Sequence, residues 1–183
     1  SMEFIRALHD EVAISLGHSV ADYDTAFQAF AAGANHATHL FNAMPPLLHR
    51  DPGIIGAAFD NPHVMVEVIC DGIHITPSVI RMIFQLFGED RVILISDAMR
   101  ATGMEDGVYE LGGQQVFKKG SRATLADGTL AGSATDLFDC MRHAVSFGIP
   151  LTSAIKAATC NSARSIGNDR IGSLAPGKEA DIL

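Results

Sequence analysis

Tryptophan is absent from this 183-residue chain, tyrosine occurs twice and cysteine three times. The missing tryptophan decides little about fold class. The cysteines decide more: Cys70, Cys140 and Cys160 are odd in number and lie in apolar or helical contexts. That speaks against a disulfide framework and for a reducing compartment. Basic residues are outnumbered, 13 Lys and Arg against 21 Asp and Glu, for a net charge of −8. Such a balance argues against a nucleic-acid backbone or an anionic membrane as the main partner. No apolar run approaches the roughly 20 residues of a membrane span, and no signal peptide opens the chain. The expected location is therefore cytoplasmic. Internal repeats, low-complexity segments and linkers are lacking as well. Ser1-Met2 reads as a cloning scar before an internal start.

What is present is an alternation of short apolar runs and helical patterns. Val12 to Leu16 predicts a strand. Asp22 predicts the cap of a helix from about Tyr23 to Ala32, with Tyr23, Phe27 and Phe30 on one face and Gly33 ending it. His36 to His39 predicts a second strand, followed by a Pro-rich loop. Val64 to Cys70 is the clearest buried strand. Pro77 suits the first turn of a helix through Phe87, and Arg91 to Ile95 is the next strand. Strands that are continuous apolar runs, alternating with helices, predict parallel βαβ units with both faces covered. Val108 to Leu125 departs from this as a hairpin excursion. Helices are predicted from Ala134 to Phe147 and from Pro150 to Cys160, with a short turn at Ser162 to Ile166. Gly167 to Gly177 is turn-rich, and Ala180 to Leu183 begins a strand.

Polar landmarks stand at the ends of the apolar runs. They are Gly17-His18-Ser19, the segment from Thr38 to Met44, Asp71-Gly72-Ile73-His74 and Ser96-Asp97-Ala98. Imidazoles and a carboxylate at the C-terminal ends of successive strands are what a metal-dependent hydrolase on a (β/α) barrel requires. Neutral His18 and His39 suit Zn²⁺ or a similar divalent ion, although either could be a hydrogen-bonded core histidine. Asp97 could ligate a metal, shuttle a proton, cap a helix or form a turn. His74 could hold a substrate oxygen, and Asp71 could orient its loop or cap the Pro77 helix. Arg50 could fork onto a phosphate or a carboxylate, or be a solvated loop charge. Leu130-Ala131-Gly132 precedes a helix, so its backbone could approach a ligand closely, or it could be a plain αβ-type loop. His9, His36, His49, His63 and His143 read as surface or packing histidines.

These segments together resemble the N-acetylglucosamine-6-phosphate deacetylases of the amidohydrolase superfamily. The likeness continues through Gly128 to Ser133 and through Gly172-Ser173-Leu174-Ala175-Pro176-Gly177-Lys178-Glu179-Ala180-Asp181. It implies a catalytic (β/α)8 barrel with a small β-sandwich built from both chain ends. It implies hydrolysis of N-acetylglucosamine 6-phosphate to glucosamine 6-phosphate and acetate. It implies a divalent metal, zinc first, on His18, His39 and a Glu from an earlier strand, with Asp97 as general base and then acid. Asn42, Ala43, Arg50, His74, Leu130, Ala131 and Gly132 are implied to hold the sugar phosphate.

No Glu-bearing strand end precedes His18. The expectation is thus an α/β fold: a partial (β/α)8 barrel of the amidohydrolase kind, truncated at both ends. Residues 1–183 would be its C-terminal part, with 168–183 leading towards a small β-sandwich. Two histidines leave a zinc site short of ligands, so the segment alone is expected to be inactive and to form a homodimer. Another amidohydrolase, such as a dihydroorotase or nucleobase deaminase, and a non-catalytic half-barrel are the other readings.

Overall fold

The structure is a computed structural model and describes residues 2–182. Helix α1 (Met2–Leu8) leads into strand β1 (Ser15–Leu16), helix α2 (Tyr23–Ala31), strand β2 (His36–Ala37), helix α3 (Gly53–Asp60) and strand β3 (Met65–Ile69). Helix α4 (Pro77–Phe87) and strand β4 (Val92–Ile95) follow. The four strands form one parallel sheet in the order β1-β2-β3-β4. Its register pairs Ser15 with His36, Ala37 with Val66, and Val66 with Val92.

Between the layers sits the main core. Val64, Val66, Val68, Cys70, Val92 and Leu94 turn one face of the sheet toward Phe30, Ile54, Ile80 and Ile83 of the helices. Full burial of such side chains stabilises by about 1.5–3 kcal/mol each. Glu67, Ile93 and Ile95 line a cavity on the other face. A parallel sheet clothed by helices on one side and facing a cavity on the other is part of an α/β barrel.

Several helices start where local chemistry dictates. Asp22 accepts the Thr25 N–H at 2.8 Å and caps α2, and Pro77 occupies the first turn of α4. Phe30 is buried, but Phe27 remains partly exposed and stacks on Tyr23 at 5.8 Å. The expected shared face is therefore only partly in the core.

Beyond β4 the chain makes an antiparallel meander: β5 (Gly107–Leu111), β6 (Gln114–Lys119) and β7 (Arg122–Thr124). It packs on a small core of Met99, Ala101, Val116, Ala123 and Ala131. Helices α5 (Leu137–Ser146), α6 (Leu151–Ala158) and α7 (Cys160–Ser165) complete the order.

The sequence expectations require corrections. The first strand is Ser15–Leu16 alone, because Val12 is exposed and its N–H bonds back to Leu8 O at 3.0 Å. The second stops at Ala37, because His39 turns left-handed. The Pro-rich loop gives way to α3, which was not anticipated. The helix expected from Ala134 starts at Leu137, where Asp136 accepts the Asp139 N–H. Ala180 to Ile182 forms no strand, since no neighbouring strand offers it a ladder; Leu183 lies outside the described residues.

Candidate active site

Three non-glycine residues just past strand ends have left-handed backbones: His18 (φ 47°) after β1, His39 (φ 31°) after β2 and Asp97 (φ 48°) after β4. Such conformations cost of order 1–3 kcal/mol each and persist where surrounding structure holds them. In a parallel sheet all strand C-termini share one edge. The strained imidazoles and carboxylate therefore stand at the edge where barrel enzymes place their chemistry.

Gly17 lets the first two strand ends close together. A Cβ there would lie 2.7 Å from Thr38 Cβ, so only glycine admits this approach. The His18 and His39 rings consequently meet edge-on, with centroids 4.7 Å apart and planes at 74°. His18 is exposed and His39 buried. The Nδ1 of His39 is buried without a hydrogen-bond partner. Two imidazoles side by side, one with an uncommitted buried nitrogen, fit the nitrogen ligand set of a borderline divalent ion. Among the described residues no cluster of three or more His, Cys, Asp or Glu forms a complete metal cage.

Asp97 and His39 line the same open cavity of about 620 Å³. The Asp97 carbonyl accepts the Ser133 N–H at 2.8 Å, and the Ser133 carbonyl accepts the Met99 N–H at 2.9 Å. These bonds bring the end of the Leu130-Ala131-Gly132 loop beside the Asp97 backbone. Gly132 has φ 68°, and a Cβ on it would lie 3.5 Å from the Asp97 carbonyl oxygen.

The Asp71 turn is self-contained. One carboxylate oxygen accepts the Ile73 and His74 backbone N–H groups at 2.8 and 2.9 Å. The other lies 2.7 Å from His74 Nδ1, with side chains only 2% and 7% exposed. Burial pushes the Asp71 carboxyl up, but the bonds from His74 and Ile73 outweigh it and hold the acid below its ordinary value. Asp71 therefore orients its loop and does not cap α4, whose N-cap is Thr76.

Asn42 sends its side-chain N–H to the His39 and Leu40 carbonyls at 3.2 and 3.3 Å, tying down the turn that carries His39. Ala43 (φ 50°) and Arg50 are exposed. Among the described residues Arg50 reaches only His49, at 2.5 Å, and no hydrogen bond connects it to His18, His39 or Asp97.

Glu67 escaped the sequence reasoning. It is half-buried at the middle of β3 and lines the cavity with His39 and Asp97. Burial pushes its carboxyl pKa up, the His39 backbone N–H draws it down, and the Asp97 charge adds to the rise. The available signal was one carboxylate inside the otherwise apolar run Met65-Val66-Glu67-Val68-Ile69.

Parallel βα units carrying left-handed histidines and an aspartate at one sheet edge define a portion of an α/β-barrel hydrolase. The chain belongs to the amidohydrolase family, whose sequence model matches residues 1–183. Members of this family are generally metal-dependent. The chain is 45% identical over 184 residues to N-acetylglucosamine-6-phosphate deacetylase of Bacillus subtilis, covering 99% of this chain and 46% of that protein. It is 37% identical to N-acetylgalactosamine-6-phosphate deacetylase of Escherichia coli O157:H7, covering 100% of this chain and 49% of that protein. Its fold matches the Mycobacterium smegmatis N-acetyl-D-glucosamine-6-phosphate deacetylase, solved as a mutant in complex with N-acetyl-D-glucosamine-6-phosphate. There the TM-score is 0.94 at 40% identity, covering 98% of this chain and 49% of that one. The chain spans about half the length of the curated relatives it matches.

Proposed function

We propose that this chain carries the proton-transfer group, two metal ligands and the substrate clamps of an N-acetylglucosamine-6-phosphate deacetylase. The observation that carries the reading is the left-handed trio His18, His39 and Asp97 at one edge of a parallel sheet. The names of the relatives supply the substrate class.

In this reading His18 and His39 hold a divalent ion, zinc first, with a further ligand from outside the described residues. A bound ion supplies an acidified water, with a pKa of about 7, and a polarised carbonyl. Asp97 takes the proton of the attacking water on its carboxylate and delivers it to the amide nitrogen, which leaves as the amine of glucosamine 6-phosphate. The acetyl group departs as acetate. His74 donates from Nδ1 to Asp71, so its Nε2 is presented to the sugar. Asn42, Ala43 and the Leu130-Ala131-Gly132 backbone border the sugar, and Arg50 forks onto its phosphate. Residues 168–183 lead into a small β-sandwich. The protein works in the cytoplasm as a homodimer; no helix among the described residues is long and apolar enough to cross a membrane.

The test is Asp97→Asn in the full-length protein that carries this chain. The expected fall in kcat is roughly 10²–10⁴-fold, while Kd for N-acetylglucosamine 6-phosphate moves by less than about threefold. A near-unchanged kcat overturns the assignment. Running the same assay on the galactosamine epimer separates the two substrates named among the relatives.

A further inference from the structure

We infer that Thr102 is a positioning residue for Asp97, acting through the backbone carbonyl of Ser133. Residues 130–133 join the two sheets of the molecule. On one side Leu130 bridges Thr124 in antiparallel fashion, and the Ala131 N–H reaches the Ala123 carbonyl at 3.1 Å. The segment therefore extends the meander beyond β7. On the other side Ser133 bridges Ala98 in parallel fashion, one residue past Asp97. Gly132 (φ 68°) turns the chain between the two pairings, with a backbone that residues bearing a Cβ rarely adopt. One short strap thus borders both the meander and the parallel sheet.

The strap holds Asp97 by its backbone. Asp97 is exposed, so packing does not aim its carboxylate; the left-handed backbone (φ 48°) does. That conformation is costly and lasts only while its surroundings enforce it. The Ser133 N–H donates to the Asp97 carbonyl at 2.8 Å. The Ser133 carbonyl in turn takes two donors, the Met99 N–H at 2.9 Å and the Thr102 hydroxyl at 3.1 Å. The Thr102 N–H donates to the Met99 carbonyl at 2.9 Å, which closes the turn that returns the hydroxyl to Ser133. Ser133 is 1% exposed, and its Oγ accepts the Thr135 N–H at 3.0 Å. Thr102 thus fastens the strap with a side chain from Asp97's own loop. Without that hydroxyl a buried carbonyl keeps one donor of two, the strap opens more often, and the Asp97 backbone is freer to relax.

The inference rests on the proton-transfer reading of Asp97 only for its effect on kcat. The test compares Thr102→Val, which keeps the shape and removes the donor, with Thr102→Ser, which keeps the donor. In this chain, amide hydrogen exchange is read by NMR. In Thr102→Val the Ser133 and Met99 amides should exchange about three- to tenfold faster, with α2 and α4 amides unchanged. Thr102→Ser should return them to within about twofold of wild type. In the full-length protein, Thr102→Val should lower kcat for N-acetylglucosamine 6-phosphate about three- to tenfold and move KM by less than about twofold. Thr102→Ser should restore kcat. In an Asp97→Asn background Thr102→Val should cause no further loss, whereas a loss through general destabilisation would add. Unmoved Ser133 and Met99 amides in Thr102→Val, a Ser variant that behaves like Val, or an additive loss in the double variant overturns the inference. Should Thr102→Val fail to fold, Ser133 and Met99 amides that exchange in the wild type as fast as open-chain amides overturn it instead. A near-normal kcat in Asp97→Asn, with the exchange response intact, counts against the proton-transfer reading and leaves Thr102 as the residue that fixes the Asp97 backbone.

Discussion

Arg50 and His74 are both assigned to the sugar phosphate, yet the fold treats them differently. His74 is locked on Asp71 at 2.7 Å with its side chain 7% exposed, so it is ready to bind without further ordering. Arg50 is an exposed guanidinium with one histidine neighbour. Apart from the nitrogen engaged with His49, its fork of donors is open to an anion, at the cost of ordering a long side chain. Arg50→Ala should therefore weaken binding of the phosphorylated sugar by about 1.5–3 kcal/mol, the range of a charge-assisted contact. Binding of unphosphorylated N-acetylglucosamine should hardly change. Calorimetric titration of both sugars checks this, and equal losses would exclude a phosphate role. His18, His39 and Asp97 were legible in the sequence because each follows an apolar run closely enough for the strand end to be counted. Glu67 was not, since a charge within a strand gives no sign of which face it occupies until the partner strands set the register.

At the scale of elements, α4 and the capped start of α2 were legible because proline and aspartate act locally. Helix α3 was hidden by Gly53 and Gly56, which weaken the helical signal. Gly56 is there for packing: a Cβ on it would lie 2.4 Å from Pro52 Cβ. The length of β1 was overread because apolar character alone does not supply a ladder partner. The turn after β3 yields a prediction with a definite sign. The Asp71 carboxyl lies below its ordinary value of 3.8 in the folded chain. Its stabilisation is therefore complete above that ordinary value and is lost as pH falls through the lower folded value. Asp71→Asn should cost about 1–3 kcal/mol in urea unfolding at pH 7, because the His74 imidazole loses its charged acceptor. The difference between wild type and variant should shrink as pH drops below 3.8. A gap that stays constant from pH 7 to about pH 2 would contradict the linkage.

At the scale of the molecule, the sheet has an open outer edge. Among the described residues β1 has a neighbour on one side only, and beyond β4 the contact is a single bridge between Ala98 and Ser133. Unpaired strand edges recruit other chains unless they are covered. Apolar side chains stand exposed nearby in sequence and along the tail: Val20 is 91% exposed, Ile166 68%, Leu174 76% and Ile182 71%. Against association stands the net charge of −8, which makes two copies repel each other. The two effects separate with salt. Raising ionic strength from about 0.01 to 0.15 M shortens the screening length from roughly 30 to 8 Å. That removes most of the repulsion between copies and leaves apolar burial and strand pairing untouched. Dimerisation of this chain should therefore tighten with salt, by severalfold or more in Kd, and two-fold closure makes the dimer the expected end state. Sedimentation equilibrium across a range of concentrations at both salt levels measures it. A chain that stays monomeric into the high micromolar range shows that its edges are self-protected, and a dimer that loosens in salt shows that ion pairs hold the copies together.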